Sequence, residues 1–142
     1  MIQRIQTLYL LIVTILQVIL LFSNIAKIHV EGGGIMVLGI LSADFWAIAA
    51  IVAINALLAF FTIFLYRRRV IQIRINIYNL ILLLILQGYL VYYLIKLTTG
   101  SLETILYSIP TVFPFVSAIF TYLAIRNMIK DEVLIRTMDR IR

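Results

Sequence analysis

Arg67-Arg68-Arg69-Val70-Ile71-Gln72-Ile73-Arg74 sets four positive charges between two long apolar runs. Phe45 to Tyr66 leads into this stretch and Ile75 to Leu97 leads out of it. The hydrocarbon core of a bilayer is about 30 Å thick and an α-helix rises about 1.5 Å per residue, so roughly 20 residues cross it. Both runs are long enough. Basic residues are retained on the cytoplasmic side of a membrane. The stretch therefore reads as a tight cytoplasmic turn between two transmembrane helices, and every other segment takes its side from it.

Composition agrees with a lipid environment. The chain has 142 residues, 64% hydrophobic and 13% charged, with a mean hydropathy of +1.13. A soluble domain of this length leaves roughly 30–40% of its chain surface in water, too much for so apolar a sequence. One domain, 1–142, is expected. The absence of cysteine excludes disulfides, thiolate metal sites and thiol nucleophiles.

Outward from the turn, the chain predicts four transmembrane helices at about 5–26, 44–66, 75–97 and 108–126, then a helical tail at 127–142. The first follows a short start carrying Arg4 and is interrupted only by polar Thr14, Gln17, Ser23 and Asn24. Its apolar part is long and Asn24-Ile25-Ala26 is a poor cleavage site, so it reads as a retained helix and not a signal peptide. Between the first two helices, Lys27-Ile28-His29-Val30 alternates, Glu31-Gly32-Gly33-Gly34 can turn, and Ile35 to Leu38 is apolar again. This is either a short hairpin at the membrane surface or a glycine loop. Ser42 or Asp44 is placed to cap the second helix, and Trp46 falls at headgroup depth. Ala49, Ala53 and Ala56 give that helix a small face for close packing. Beyond the third helix, Gly100 is a stop and Ser101 a start for a short helix. Pro110 suits a first helical turn, and Pro114 is expected to bend the fourth helix. The tail carries a favourable Glu132–Arg136 spacing, with Asp139 three residues from Arg136 and Arg142.

Charge counting gives N-in, C-in. Ten of the twelve basic residues fall inside with three acids, a net of +7; Lys27 and Lys96 lie outside with Glu31, Asp44 and Glu103, a net of −1.

The ends are the most specific part of the sequence. Met1-Ile2-Gln3-Arg4-Ile5-Gln6-Thr7-Leu8-Tyr9, the internal Leu65-Tyr66-Arg67 with Gln72-Ile73-Arg74, and the closing Ala124-Ile125-Arg126, Lys130-Asp131-Glu132, Ile135-Arg136 and Asp139-Arg140-Ile141-Arg142 resemble a small membrane family of Bacteroidetes, catalogued as domain of unknown function 4293. The resemblance covers essentially the whole chain. It implies a four-helix protein of the inner membrane of a Gram-negative bacterium, and it carries no activity and no functional residues.

Three amides stand near mid-depth: Gln17 between Arg4 and Lys27, Asn55 between Asp44 and Arg67, and Gln87 between Arg74 and Lys96, with Ser117 slightly to the cytoplasmic side. Facing lipid there is costly, so all four are expected to turn inward as an intramembrane polar cluster. They serve either as interhelical glue, at about 0.6 kcal/mol per hydrogen bond, or as a path for a polar solute. Glue needs nothing further. A proton relay needs a titrating group, and no Asp, Glu, Lys, Arg or His sits mid-helix; small four-helix multidrug transporters depend on a membrane glutamate that this first helix lacks. His29, the single histidine, with only Glu31 nearby, reads as a solvated loop residue and not a metal ligand. No triad or paired carboxylates can be drawn, and Gly32-Gly33-Gly34 lacks the Lys-Ser/Thr and strand–helix context of a phosphate loop. No enzyme, cofactor or nucleic-acid binding is expected.

Arg67, Arg68, Arg69 and Arg74 either bind anionic lipid headgroups, at about 1 kcal/mol per charge, or set topology alone; the two are compatible. In the tail, Leu134, Met138 and Ile141 make a short seam suited to another helix, or they are a solvated helix end. The expected protein is thus an all-α, four-helix polytopic membrane protein with a cytoplasmic helical extension. Its expected role is that of a non-enzymatic accessory or scaffold subunit, homo-oligomeric or bound to a larger inner-membrane complex. The alternative is a small-solute channel or transporter using the midplane amides.

Overall fold

The computed structural model describes residues 3–30, 34–42, 45–65, 68–100 and 105–140. In chain order they form α1 (Gln3–Leu21), β1 (Asn24–Val30), β2 (Gly34–Gly39), α2 (Trp46–Phe64), α3 (Arg69–Gly100), β3 (Ile105–Tyr107), a 3-10 turn (Ile109–Val112) and α4 (Phe113–Arg140). Asp44, Arg67, Ser101, Glu103, Ile141, Arg142 and the 31–33 turn lie outside the described residues, as do the side chains of Arg4, His29, Arg69, Arg136 and Asp139.

The helices pack as a ring, α1 beside α2 and α4, with α3 closing it between α2 and α4. The seam of each shows the same spacing. Buried positions are Gln6, Leu10, Val13, Gln17 and Leu20 on α1; Ile48, Val52, Asn55, Ala59 and Thr62 on α2; Gln72, Asn76, Asn79, Leu83, Leu86 and Leu90 on α3; and Pro114, Ser117, Thr121, Ala124, Met128 and Asp131 on α4. Steps of four and three alternate throughout, the 3.5-residue period that keeps one seam facing its neighbours in a left-handed bundle.

Apolar side chains also cover the outside, among them Leu8, Leu57, Phe61, Ile81, Leu84 and Ile119, all exposed. An apolar surface of that extent belongs against lipid or protein. Trp46–Phe64, Val70–Thr99 and Ile109–Ile135 are each long and apolar enough to cross a membrane, while the apolar part of α1, Ile5–Leu21, is shorter.

One end of the ring carries a small antiparallel sheet in the order β2-β1-β3. β1 and β2 pair as a hairpin, from Val30 opposite Gly34 to Asn24 opposite Gly39. The third strand comes from the far side of the chain: Ala26 pairs with Tyr107 and Ile28 with Ile105. The 3-10 turn is tied in below, since Thr111 Oγ1 donates to the Ile25 carbonyl at 3.2 Å. At the other end, α2 and α3 are joined by a turn in which the Arg68 N–H donates to the Leu65 carbonyl.

Several local expectations need correction. α1 ends at Leu21, not near 26, because Asn24 already enters β1. α3 starts at Arg69, inside the basic stretch, which lengthens it to 32 residues, about 48 Å. Pro114 is the second residue of α4, where its missing N–H costs nothing, so it initiates that helix and has no interior to bend. Ser42 does not cap α2; its hydroxyl donates back to the Gly39 carbonyl, and the cap position is Phe45, with no side-chain hydrogen bond.

Candidate functional site

Two apolar clusters divide the interior. The one at the sheet end includes Leu20, Ile40, Ile48, Val52, Leu86 and Leu90. The one toward the arginine end is Leu10, Ala124 and Met128, with Tyr9, Ile63 and Ile73 against it. Between these clusters each helix places buried polar side chains on its seam, Gln17 on α1, Asn55 on α2, Asn76 and Asn79 on α3, Ser117 and Thr121 on α4, all six fully buried and interleaved with apolar Val13, Ala59 and Leu83. The site is a polar layer across the bundle.

Its bonding is incomplete. Gln17 Nε2 donates to Ser117 Oγ at 3.0 Å, linking α1 to α4, and Thr121 Oγ1 donates to the Ser117 carbonyl at 2.8 Å. Asn76 Nδ2 reaches only the Met128 thioether at 3.4 Å, a weak acceptor. Both amide atoms of Asn55, both of Asn79, Gln17 Oε1 and Asn76 Oδ1 have no hydrogen-bond partner. A buried polar atom left unsatisfied costs about 1–3 kcal/mol, so the layer's stability depends on what meets those atoms.

Polarity continues from the layer toward the arginine end. Gln72 Nε2 donates to the Thr62 carbonyl at 3.0 Å, bridging α3 to α2. Gln6 Nε2 donates to Asp131 Oδ2, bridging α1 to α4. Asp131 is only 9% exposed, so a residue read as part of a solvated tail packs into the bundle. Its signal was present in the sequence: it continues the α4 seam one turn after Met128. Gln6, Gln72, Asn76 and Asn79 were likewise legible as seam positions, but sit too near the basic residues to stand out by depth.

The four midplane candidates separate. Gln17, Asn55 and Ser117 lie in the layer; Gln87 does not. It is half-buried, on the flank of the α3 seam beside Leu86 and Leu90, with Oε1 buried and unpartnered. Because α3 begins at Arg69, its residue in the layer is Asn79. Of the arginines, Arg68 and Arg74 are exposed, Arg74 by a two-residue offset from both Gln72 and Asn76, which turns it away from the seam. In the tail, Leu134 and Met138 are exposed, at 52% and 69%.

A family model described as Domain of unknown function (DUF4293) matches residues 2–141. No curated protein and no solved structure matches the chain.

Proposed function

Since the chain belongs to the family described as Domain of unknown function (DUF4293), which names no activity, we propose from its geometry that it is a non-enzymatic accessory or scaffold subunit of a bacterial inner membrane, in a homo-oligomer or a larger complex. The carrying observation is the end of α4. Asp131 meets Gln6, near the start of α1, and α4 runs on from Glu132 to Arg140, about 13 Å of further helix. Val133, Leu134, Ile135 and Met138 are all exposed on it. Exposed apolar side chains on the last turns of a helix suit a partner helix.

In this reading α1 spans with the other three, since the 17-residue stretch Ile5–Leu21 reaches about 26 Å. Both termini face the cytoplasm, with the arginine turn against anionic headgroups. The test is affinity purification from native membranes, with Leu134, Met138 and Ile141 changed to serine. The bundle should stay folded while co-purifying chains are lost; undiminished recovery would remove the tail from any docking role. A second reading, a small-solute channel or transporter, draws on unpartnered Asn55 and Asn79. It requires flux in liposomes that changes with Asn55, and it must contend with the apolar cluster that fills the sheet end.

A further inference from the structure

α3 is the least enclosed of the three long spans. The share of its apolar stretch buried inside the protein is 17%, against 33% for α2 and 39% for α4. Its outward side carries a second seam of alternating four- and three-residue steps: Ile77, Ile81, Leu84, Gly88, Val91 and Ile95, all exposed. The next step reaches Thr98, where Val91, Leu94, Ile95, Thr98 and Thr99 line a groove of about 400 Å³. From 77 to 98 the stripe is about 32 Å long, close to the thickness of a hydrocarbon core. Between Arg74 and Lys96 the helix carries no charge.

Lipid alone does not account for two residues of this surface. Gly88 is bare, since a Cβ there meets nothing within 4 Å. A glycine inside a helix is destabilising relative to alanine, and in a membrane its use is to let another helix approach closely. Gln87, three residues after Leu84 and four before Val91, flanks the stripe at mid-span. Its Oε1 is buried without a partner, and its Nε2 makes no hydrogen bond among the described residues. An amide unmet at that depth is costly against lipid.

The chemistry selects a second copy of the chain as the occupant. An amide both donates and accepts, so two Gln87 side chains satisfy each other once each turns about its soft last bond. Chains inserted the same way hold identical residues at identical depth, and a twofold axis along the membrane normal sets one patch against its own likeness. With no charge between Arg74 and Lys96, like surfaces meet there without repulsion. We propose that the 77–98 stripe of α3 is a homodimer interface, in which Gln87 pairs with Gln87 of a second copy and Gly88 lets the two helices close. The proposal rests on the membrane-spanning, homo-oligomeric reading above and names its surface; it does not rest on the tail.

The chain has no cysteine, so single cysteines report the contact directly. Leu84→Cys and Val91→Cys lie on the stripe. Tyr89→Cys lies on the same helix but off the stripe, and Leu57→Cys and Ile119→Cys lie on α2 and α4 at exposed positions. Oxidised with copper phenanthroline in native membranes, the two stripe cysteines should give a disulfide-linked dimer and the other three should not. Fluorescent copies diluted into liposomes then give the association constant by energy transfer. Gln87→Leu should lower it roughly sevenfold, the worth of two average interhelical hydrogen bonds. Gly88→Leu should lower it further, while Gly88→Ala keeps a small residue and should change it little. Melting in detergent confirms that each variant folds.

Absence of linkage at both Leu84→Cys and Val91→Cys overturns the interface. Linkage of equal extent at Tyr89→Cys, Leu57→Cys and Ile119→Cys overturns it too, as does an adduct with a different chain in place of the dimer. An association constant untouched by Gln87→Leu or by Gly88→Leu does the same. The tail reads out separately: a chain with Leu134, Met138 and Ile141 changed to serine should still cross-link through Leu84→Cys, whatever becomes of its co-purifying partners.

Discussion

Asn55 and Asn79 stand at one level of the bundle on adjacent helices, each seven residues from the contact in which Gln72 Nε2 donates to the Thr62 carbonyl. Seven residues are about two helical turns, and α2 and α3 run away from that contact together. Both side chains are fully buried and neither amide has a partner. A pair matched in depth and unmatched in bonding separates the two roles an interior amide can have.

Asn55→Val removes no protein hydrogen bond, whereas Gln17→Leu removes the bond to Ser117 Oγ. In thermal melts of detergent-purified protein, Gln17→Leu should cost about 1 kcal/mol. Asn55→Val removes two unpartnered buried polar atoms and should leave the melt unchanged or raise it, by up to about 1–3 kcal/mol. Equal losses at both positions would place Asn55 in a hydrogen bond that the geometry lacks.

The Gln6–Asp131 bond ties the start of α1 to α4. Asp131→Ala leaves a buried donor on Gln6 and should destabilise by about 2 kcal/mol. Asp131→Asn keeps an acceptor oxygen and should lose about half as much. If the two variants melt alike, the contact contributes packing and not hydrogen bonding.

Side-specific labelling checks the arrangement in the membrane. Gln72 is a poor site for a cysteine, because it is buried and bonded to Thr62; Arg68 and Gly34 are exposed, and a Cβ at Gly34 meets nothing within 4 Å. Cysteines at Arg68 and at Gly34 should react from opposite faces, Arg68 from the cytoplasmic one. Reaction of both from one face would rule out the orientation.

Gly88 is exposed on α3, and a Cβ there also meets nothing within 4 Å. Gly88→Ala should therefore stabilise the helix by about 0.5–1 kcal/mol through lower backbone freedom in the unfolded chain. A lower melting temperature would show that this bare surface is held against something in the native membrane.

Most of the helical layout was legible because hydrophobicity and length decide it: the runs flanking Arg67 to Arg74 become α2 and α3, whereas the Lys27 to Leu38 connection, which reads equally as a hairpin or a glycine loop, forms β1 and β2. The polar interior was legible only in part. Gln17, Asn55 and Ser117 were found by depth, but depth was measured from charges, and Arg74 proved to lie within α3 and not before it. That displaced the reading on α3 from Asn79 to Gln87. Asp131 was hidden for another reason, since charged neighbours on both sides made its stretch look solvated. A seam of alternating four- and three-residue steps is the more faithful guide, because it records which face packs regardless of where the bilayer begins. β3 had no signal at all: three residues between a glycine and a proline take their extended form only from pairing with β1.

That pairing also orders the protein's birth. β1 belongs to the connection between α1 and α2, yet its second neighbour, Ile105–Tyr107, is made some 75 residues later, roughly 4–15 s at ordinary rates of translation. For that interval the nascent chain has two or three helices ready to insert and a hairpin with an open edge, a template to which a wrong strand can bind. The sheet is completed, and the first half of the chain locked to the second, only as the last helix emerges from the ribosome. Ribosome stalling or a cut before Ile105 should thus leave helices that insert but a sheet end that stays open to protease.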